Sequence, residues 1–226
     1  MTTLDPQLLD SGARVGRFKD PFSGLSHAVG ALLALVGTIV LAMTSRDTRG
    51  ATAVAVVYGI SLVALFSASA TYHLVRGSES LDKLLRRFDH CAIFLLIAGT
   101  YTPTTWFALQ GASRVWMLAA VWGFAVCGIA MRVFWLGAPR WLYTGVYLAM
   151  GWMGMLQAGA FYRGLSTPVL ALLAAGGLTY TFGAVIYGLK RPNPWPGRFG
   201  FHEIWHLFVL TAAILHFVAM YVLTRG

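Results

Sequence analysis

The sequence predicts an all-α integral membrane protein: a bundle of seven transmembrane helices, with the N-terminus cytoplasmic and the C-terminus outside. Of its 226 residues, 58% are hydrophobic and 11% are charged, about half the charged fraction of a typical soluble domain. The apolar residues gather into runs of about twenty, which is the length a helix needs to cross a bilayer. Charged residues separate one run from the next, and the connections are short, so we expect a single domain over residues 1–226.

The seven runs are taken in chain order, beginning after the N-terminal tail. Residues 1–20 are polar and lack a basic start followed by an apolar core, so they are predicted to be a cytoplasmic tail rather than a cleavable signal peptide. The first apolar run then directs insertion. The predicted helices cover residues 22–44, 51–75, 89–109, 115–132, 141–161, 168–189 and 202–223.

The basic residues predict the orientation, because connections rich in Lys and Arg stay in the cytoplasm. The tail and the second, fourth and sixth connections contain twelve of them: Arg14, Arg17, Lys19, Arg76, Lys83, Arg86, Arg87, Arg132, Arg140, Lys190, Arg191 and Arg198. The opposite side contains five: Arg46, Arg49, Arg114, Arg163 and Arg225. The net charge of +9 is therefore attributed to orientation, and no nucleic-acid partner is predicted.

A metal site is predicted where polar residues from three helices reach the same depth. His202 and His206 are four residues apart, so they share one helical face and can present two ligands to zinc. With the predicted topology, His73 lies near the cytoplasmic end of the second helix and Asp89 in the first turn of the third. Ser69, one turn before His73, could bond a metal-bound water or a substrate carbonyl, or could simply bond its own helix backbone.

Few of the other acidic residues lie inside predicted helices, and the remaining histidines are not predicted to bind the metal. Asp89 and Glu203 are the only acids inside predicted helices, where ionisable groups need partners; the other six, Asp20 included, fall in the tail or in connections. His27 is expected beside the site or at the start of its helix, rather than as a ligand. His90 points about 100° away from Asp89 on a helix and is assigned a structural role. His216 is about 21 Å from His202 along the axis, so it lines a deeper pocket or bonds another helix.

The segment His202-Glu203-Ile-Trp-His206 also matches the zinc-protease pattern, in which the Glu acts as general base. Such proteases need a third ligand, often a His six residues after the second or a later acid. Residue 212 is Ala and no acid follows Glu203. A protease would therefore have to take its third ligand from upstream, from His73 or Asp89.

Together the motifs resemble the bacterial hemolysin III proteins, which belong with the progestin and adipoQ receptors, including the adiponectin receptors, and are related to alkaline ceramidases. The motifs are the stretch from Asp20 to Gly30, Ser69-x-x-x-His73, the stretch from Phe88 to Pro103, and His202-Glu-Ile-Trp-His206. The resemblance implies a seven-helix bundle with a cytoplasmic N-terminus. It also implies zinc held by His73, His202 and His206, with Asp89 acting through a bound water and Ser69 nearby.

Three functions are open at this point. The first is a zinc-dependent hydrolase of lipid amides or esters, with catalytic Asp89 and Ser69, membrane lipids as partners, and a part in membrane-lipid homeostasis. The second is a non-catalytic receptor or sensor in which zinc is structural. The third is a pore-forming hemolysin, although few charged residues are available to line a conduction path. In each case the expected location is the bacterial inner membrane.

Overall fold

The computed structural model describes residues 18–45 and 50–225, and every regular element in those ranges is helical. Six of the described helices are long and apolar enough to cross a membrane: Pro21–Thr44, Ala51–Leu74, Glu79–Ala108, Gly111–Phe134, Thr167–Leu189 and Phe201–Arg225. This confirms the predicted all-α membrane class. The elements are α1 Pro21–Thr44, α2 Ala51–Leu74, α3 Glu79–Ala108, α4 Gly111–Phe134, α5 Arg140–Gly151, a 3₁₀-helix Met153–Gln157, α6 Ala158–Gly164, α7 Thr167–Leu189 and α8 Phe201–Arg225.

The third helix begins ten residues earlier than the predicted start at Asp89. Ser78 caps it, since its hydroxyl accepts a hydrogen bond from the amide of Leu81, as an N-cap residue does. Glu79 occupies the first turn and pairs with Lys83 one turn later. Most of the charged connection assigned to this region is therefore nearly three additional turns of helix, and Asp89 lies well inside α3.

The predicted fifth helix, 141–161, is wrong as one continuous helix, because the chain divides there into α5, the 3₁₀-helix and α6. Gly151 and Gly154 flank the break, and glycine disfavours a helix by about 1 kcal/mol relative to alanine. Tyr101 of α3 supports the break: its hydroxyl donates to the carbonyl of Gly151 and accepts from the amide of Gly154, both at 2.7 Å. Backbone groups freed at membrane depth need such partners inside the protein.

The helices pack closely where small residues face each other. The most extensive contacts join α1 to α2, α7 to α8, and α2 to α3. Gly99 of α3 lies so close to Ser61 of α2 that an added Cβ would overlap the Ser61 side chain, which is the kind of close approach small residues allow in lipid. This packing leaves a cavity of about 1070 Å³ between α2, α3, α5, α6, α7 and α8.

Candidate metal centre

Three histidines meet at one end of the cavity, as predicted. His73 lies in the last turn of α2, and His202 and His206 lie in the first two turns of α8. One ring nitrogen from each lies within 4.8 Å of the other two. The Nε2 atoms of His202 and His206 are 3.2 Å apart, and His73 and His206 are each only 3% exposed. This cluster can bind a metal ion.

His27 of α1 contacts Nδ1 of His206, on the opposite side of the ring from His202, and so fixes the orientation of the ring. Nδ1 of His206 is 2.9 Å from Nε2 of His27, and His27 is buried. In a neutral imidazole one nitrogen donates and the other accepts. When His206 donates from Nδ1 to His27, its Nε2 presents a lone pair toward His202. Metal-binding histidines commonly donate their second nitrogen in this way.

Asp20 is a member of the site that the sequence prediction missed, since it was assigned to the tail. Its Oδ2 lies 3.3 Å from Nδ1 of His73 and 3.8 Å from Nε2 of His202. It also caps α1, because its other oxygen accepts from the amide of Ser23 at 3.3 Å. The signal was present in the sequence: an Asp directly before Pro21 is typical of a helix start, and a helix start beside His27 lies near the cluster.

The Asp20 carboxylate is negatively charged throughout the usual pH range. Burial by itself raises its pKa, but the contacts with His73 and Ser23 and the charges of His73 and His202 outweigh burial, and the pKa falls to about 2. An ionised carboxylate next to two imidazoles favours positive charge at the cluster.

Asp89 and Ser69 line the same cavity as the histidines. Ser69 is buried one turn before His73, and both residues lie near the Asp89 carboxyl of α3. Ser69 therefore has a polar neighbour on another helix as well as its own backbone. Asp89 is not one of the three clustered residues. The catalytic roles assigned to Asp89 and Ser69 stay predictions.

The other polar residues near the cluster have local partners. Glu203 accepts a hydrogen bond from the amide of Gly200 at 2.7 Å, so it caps the start of α8, where a negative charge is favoured. His90 is buried, and the Tyr147 hydroxyl lies 3.4 Å from its Nδ1 and bonds its carbonyl. His216 contacts the Leu173 carbonyl on α7 and lines the cavity, which confirms both alternatives predicted for it.

The cavity extends from the histidine cluster far along the helices. On α3 its lining runs from Arg86 to Thr104, about 27 Å at 1.5 Å per residue, close to the roughly 30 Å of a bilayer hydrocarbon core. Its walls beyond the cluster are mainly apolar and aromatic, with contributions from α5, α6 and α7. Such a space suits an extended apolar chain with a polar end at the histidines.

Residues 16–217 match the protein-family model described as Haemolysin-III related. Hemolysin-3 of Bacillus cereus is 34% identical over 205 residues, which covers 89% of this chain and 90% of that protein. Monocyte to macrophage differentiation factor of Homo sapiens is 31% identical over 205 residues, covering 87% and 80%. Adiponectin receptor protein of Drosophila melanogaster is 27% identical over 212 residues, covering 85% and 48%. The range matched by the family model includes all three clustered histidines and Asp89.

Proposed function

The chain belongs to the haemolysin-III-related family, and from that membership together with its histidine cluster we propose that it is a zinc-dependent hydrolase of lipid amides or esters. It is an integral membrane protein of the bacterial plasma membrane, as its apolar helices and its likeness to hemolysin-3 indicate. The observation that carries the proposal is the convergence of three imidazoles at the polar end of a long apolar cavity.

The three histidines suit zinc in number and type, and His202 and His206 suit it in spacing. Catalytic zinc sites use three protein ligands and leave one position open. Two nitrogens at 2.0–2.1 Å from one tetrahedral zinc would be about 3.3 Å apart, and the Nε2 atoms of His202 and His206 are separated by 3.2 Å.

Zinc would supply a water of lowered pKa, near 7, and a Lewis acid for the scissile carbonyl. The chemical role of the protein itself is assigned to Asp89, which orients the attacking water, takes its proton, and returns that proton to the leaving nitrogen or oxygen as the acyl bond breaks. Ser69 lies near the Asp89 carboxyl, and a hydrogen bond donated by its hydroxyl would limit the rotation of that carboxyl. The apolar cavity holds the acyl chain and keeps bulk water from the reacting group.

Elemental analysis tests the metal. Purified protein is expected to contain about one zinc per chain, since the cluster offers one set of three ligands. His206→Ala should lose this zinc because it removes one of the three ligands. His216→Phe is the matched control: it alters another buried histidine of α8, outside the cluster, and should leave the zinc content unchanged. Zinc-free wild-type protein, or equal zinc in all three proteins, would contradict the proposal.

Turnover tests the role of Asp89. Asp89→Asn keeps the size of the side chain but removes the base, so zinc content should persist while fatty-acid release from a ceramide-like amide or a lysolipid ester falls by about 10²-fold or more. Glu79→Gln, an exposed acid at the start of the same helix, should turn over normally. Equal release by wild type and Asp89→Asn would remove Asp89 from the mechanism.

A structural zinc in a non-catalytic sensor is favoured by one observation, the position of Asp20. Its carboxylate lies 3.3 and 3.8 Å from nitrogens of two candidate ligands, so it could close the site as a fourth ligand, and closed sites are structural. Asp20→Asn distinguishes the two functions. Loss of zinc as complete as in His206→Ala, with no turnover by the wild type, would favour the sensor. Retained zinc with turnover would favour the hydrolase.

A further inference from the structure

A second set of polar side chains lies along the cavity, away from the histidine cluster. His216 of α8 and Tyr180 of α7 both line the cavity, and their ring centroids are 5.6 Å apart. Tyr58 of α2 lies within electrostatic range of Tyr180. His216 follows His206 by ten residues, about 15 Å along the helix axis. Polar groups at such depth are costly without partners.

The His216 ring offers an acceptor that the protein does not use. Its Nε2 lies 3.2 Å from the carbonyl oxygen of Leu173. A carbonyl cannot donate, so Nε2 carries the hydrogen, and Nδ1 of the neutral ring is an acceptor. Within residues 18–45 and 50–225, Nε2 is the only atom of this ring with a hydrogen bond. Close packing on Gly176, where an added Cβ would overlap the ring, holds it in this orientation.

The two tyrosines nearby add hydroxyl groups that are also unused. The hydroxyls of Tyr58 and Tyr180 are enclosed and have no hydrogen-bond partner in the described part of the chain. Tyr58 is completely buried. Most buried polar atoms in proteins have a partner. The unpaired hydroxyl of Tyr180 and the unused acceptor of the neighbouring His216 ring therefore indicate that a further group belongs in this part of the cavity.

We propose that His216 and Tyr180 form a second polar subsite that receives a hydroxyl group carried on the chain of the bound lipid. The proposal rests on the proposed function, because it places the carboxyl, amide or ester end of the lipid at the histidine cluster. A chain hydroxyl complements the subsite, since it can donate to Nδ1 of His216 and accept from Tyr180. An unsubstituted chain does neither, so the preferred lipids are those with a hydroxylated acyl chain.

The spacing predicts where on the chain this hydroxyl lies. Three bonds of an extended backbone cover about 3.3–3.6 Å, so each bond advances roughly 1.2 Å, and 15 Å corresponds to about twelve carbons. The subsite therefore selects a hydroxyl near the middle of a long acyl chain. A hydroxyl next to the carboxyl group would lie at the histidine cluster instead and would gain nothing from His216.

Competitive binding to the full-length protein in detergent tests the proposal. Stearic, 12-hydroxystearic and 2-hydroxystearic acids would each displace a fluorescent fatty acid. The 12-hydroxy isomer is expected to bind about three- to tenfold more tightly than the other two, the effect of one added hydrogen bond. Equal affinities for the three acids would overturn the subsite, because the unpaired groups would then only bind water.

Two variants assign the preference to the named residues. His216→Phe keeps an aromatic ring but removes the acceptor, and Tyr180→Phe removes only the hydroxyl. Both variants should show a smaller preference for the 12-hydroxy isomer than the wild type. Their affinity for stearic acid should equal that of the wild type. Tyr221→Phe, outside the cavity lining, should leave the preference intact. If both cavity variants still prefer the 12-hydroxy isomer, the proposal is overturned. If His216→Phe does not fold, the result for Tyr180→Phe alone decides.

The outcome is independent of catalysis. Zinc content and fatty-acid release report on the proposed hydrolase, whereas the relative affinities of the three acids report on the subsite. A selective but zinc-free or inactive protein would contradict the hydrolase alone. An active zinc protein without selectivity would contradict the subsite alone.

Discussion

At the scale of single residues, the candidate ligands depend on neighbours that orient their rings. His206 contacts His27 at 2.9 Å, and His73 contacts the Asp20 carboxylate at 3.3 Å. Both neighbours come from α1 or the residue that caps it. The first helix therefore contributes no member of the cluster but positions two of its three histidines, and changes in α1 should alter metal affinity.

His27→Phe tests this dependence. The substitution keeps an aromatic ring beside His206 but removes the acceptor for its Nδ1, so zinc affinity should fall by about 10- to 100-fold. Competition with a chelator of known zinc affinity measures the change. The same measurement on His216→Phe should give the wild-type value, and an unchanged affinity for His27→Phe would show that His206 needs no such partner.

At the scale of helices, two local features determine how the bundle is built around the cavity. Tyr101 supplies hydrogen-bond partners to the backbone where the fifth segment breaks, and that segment lines the cavity. Gly99 lets α3 approach α2 closely at Ser61. Because α2 carries His73 and α3 carries Asp89, this contact sets the distance between two parts of the site.

Tyr101→Phe should destabilise the protein by about 1–3 kcal/mol, because the Gly151 carbonyl and the Gly154 amide lose their partner at membrane depth, where water does not replace it. Denaturant unfolding in detergent measures the loss. Tyr221→Phe removes a hydroxyl that contacts only the exposed Arg225 side chain in the described structure, and a change within about 0.5 kcal/mol is expected there. Equal stabilities would mean that the break does not depend on Tyr101.

Gly99→Ala tests the α2–α3 contact. The added methyl overlaps Ser61, and overpacking of this kind costs about 1–3 kcal/mol. Gly123 of α4 has open space around an added Cβ, so Gly123→Ala should be neutral or should stabilise by up to about 1 kcal/mol. Thermal unfolding of the two variants compares them directly; a Gly99→Ala protein as stable as Gly123→Ala would refute the close-packing argument.

At the scale of the whole molecule, the number of crossings decides on which side the C-terminus lies. Six described helices are long enough to cross alone, and the segment from α5 to α6 takes the place of the predicted fifth span. If that segment crosses as a broken helix, there are seven crossings and the termini lie on opposite sides. The distribution of Lys and Arg favours this arrangement.

Reporter fusions test the orientation. Alkaline phosphatase, which is active only outside the cytoplasm, is expected to be active when fused after Gly226. A fusion truncated in the connection between α7 and α8, which carries Lys190, Arg191 and Arg198, should be inactive. An inactive C-terminal fusion beside a normally expressed protein would indicate six crossings and contradict the predicted topology.

The sequence alone determined the features that depend on neighbouring residues. Apolar run length predicts the long helices because bilayer thickness sets it, and the spacing of His202 and His206 places both on one face because a helix has 3.6 residues per turn. The early start of α3 and the N-cap role of Asp20 were also local and could have been recognised from Ser78 and from the Asp before Pro21.

Only the tertiary structure decided which distant residues touch. The contact of His27 with His206, the position of Asp20 beside His73, and the grouping of His216 with Tyr180 each join different helices or the residues that cap them. The bonds of Tyr101 at the break in the fifth segment are likewise between helices. Such distances depend on how side chains pack between helices, and a pattern within a single helix carries no information about its neighbour.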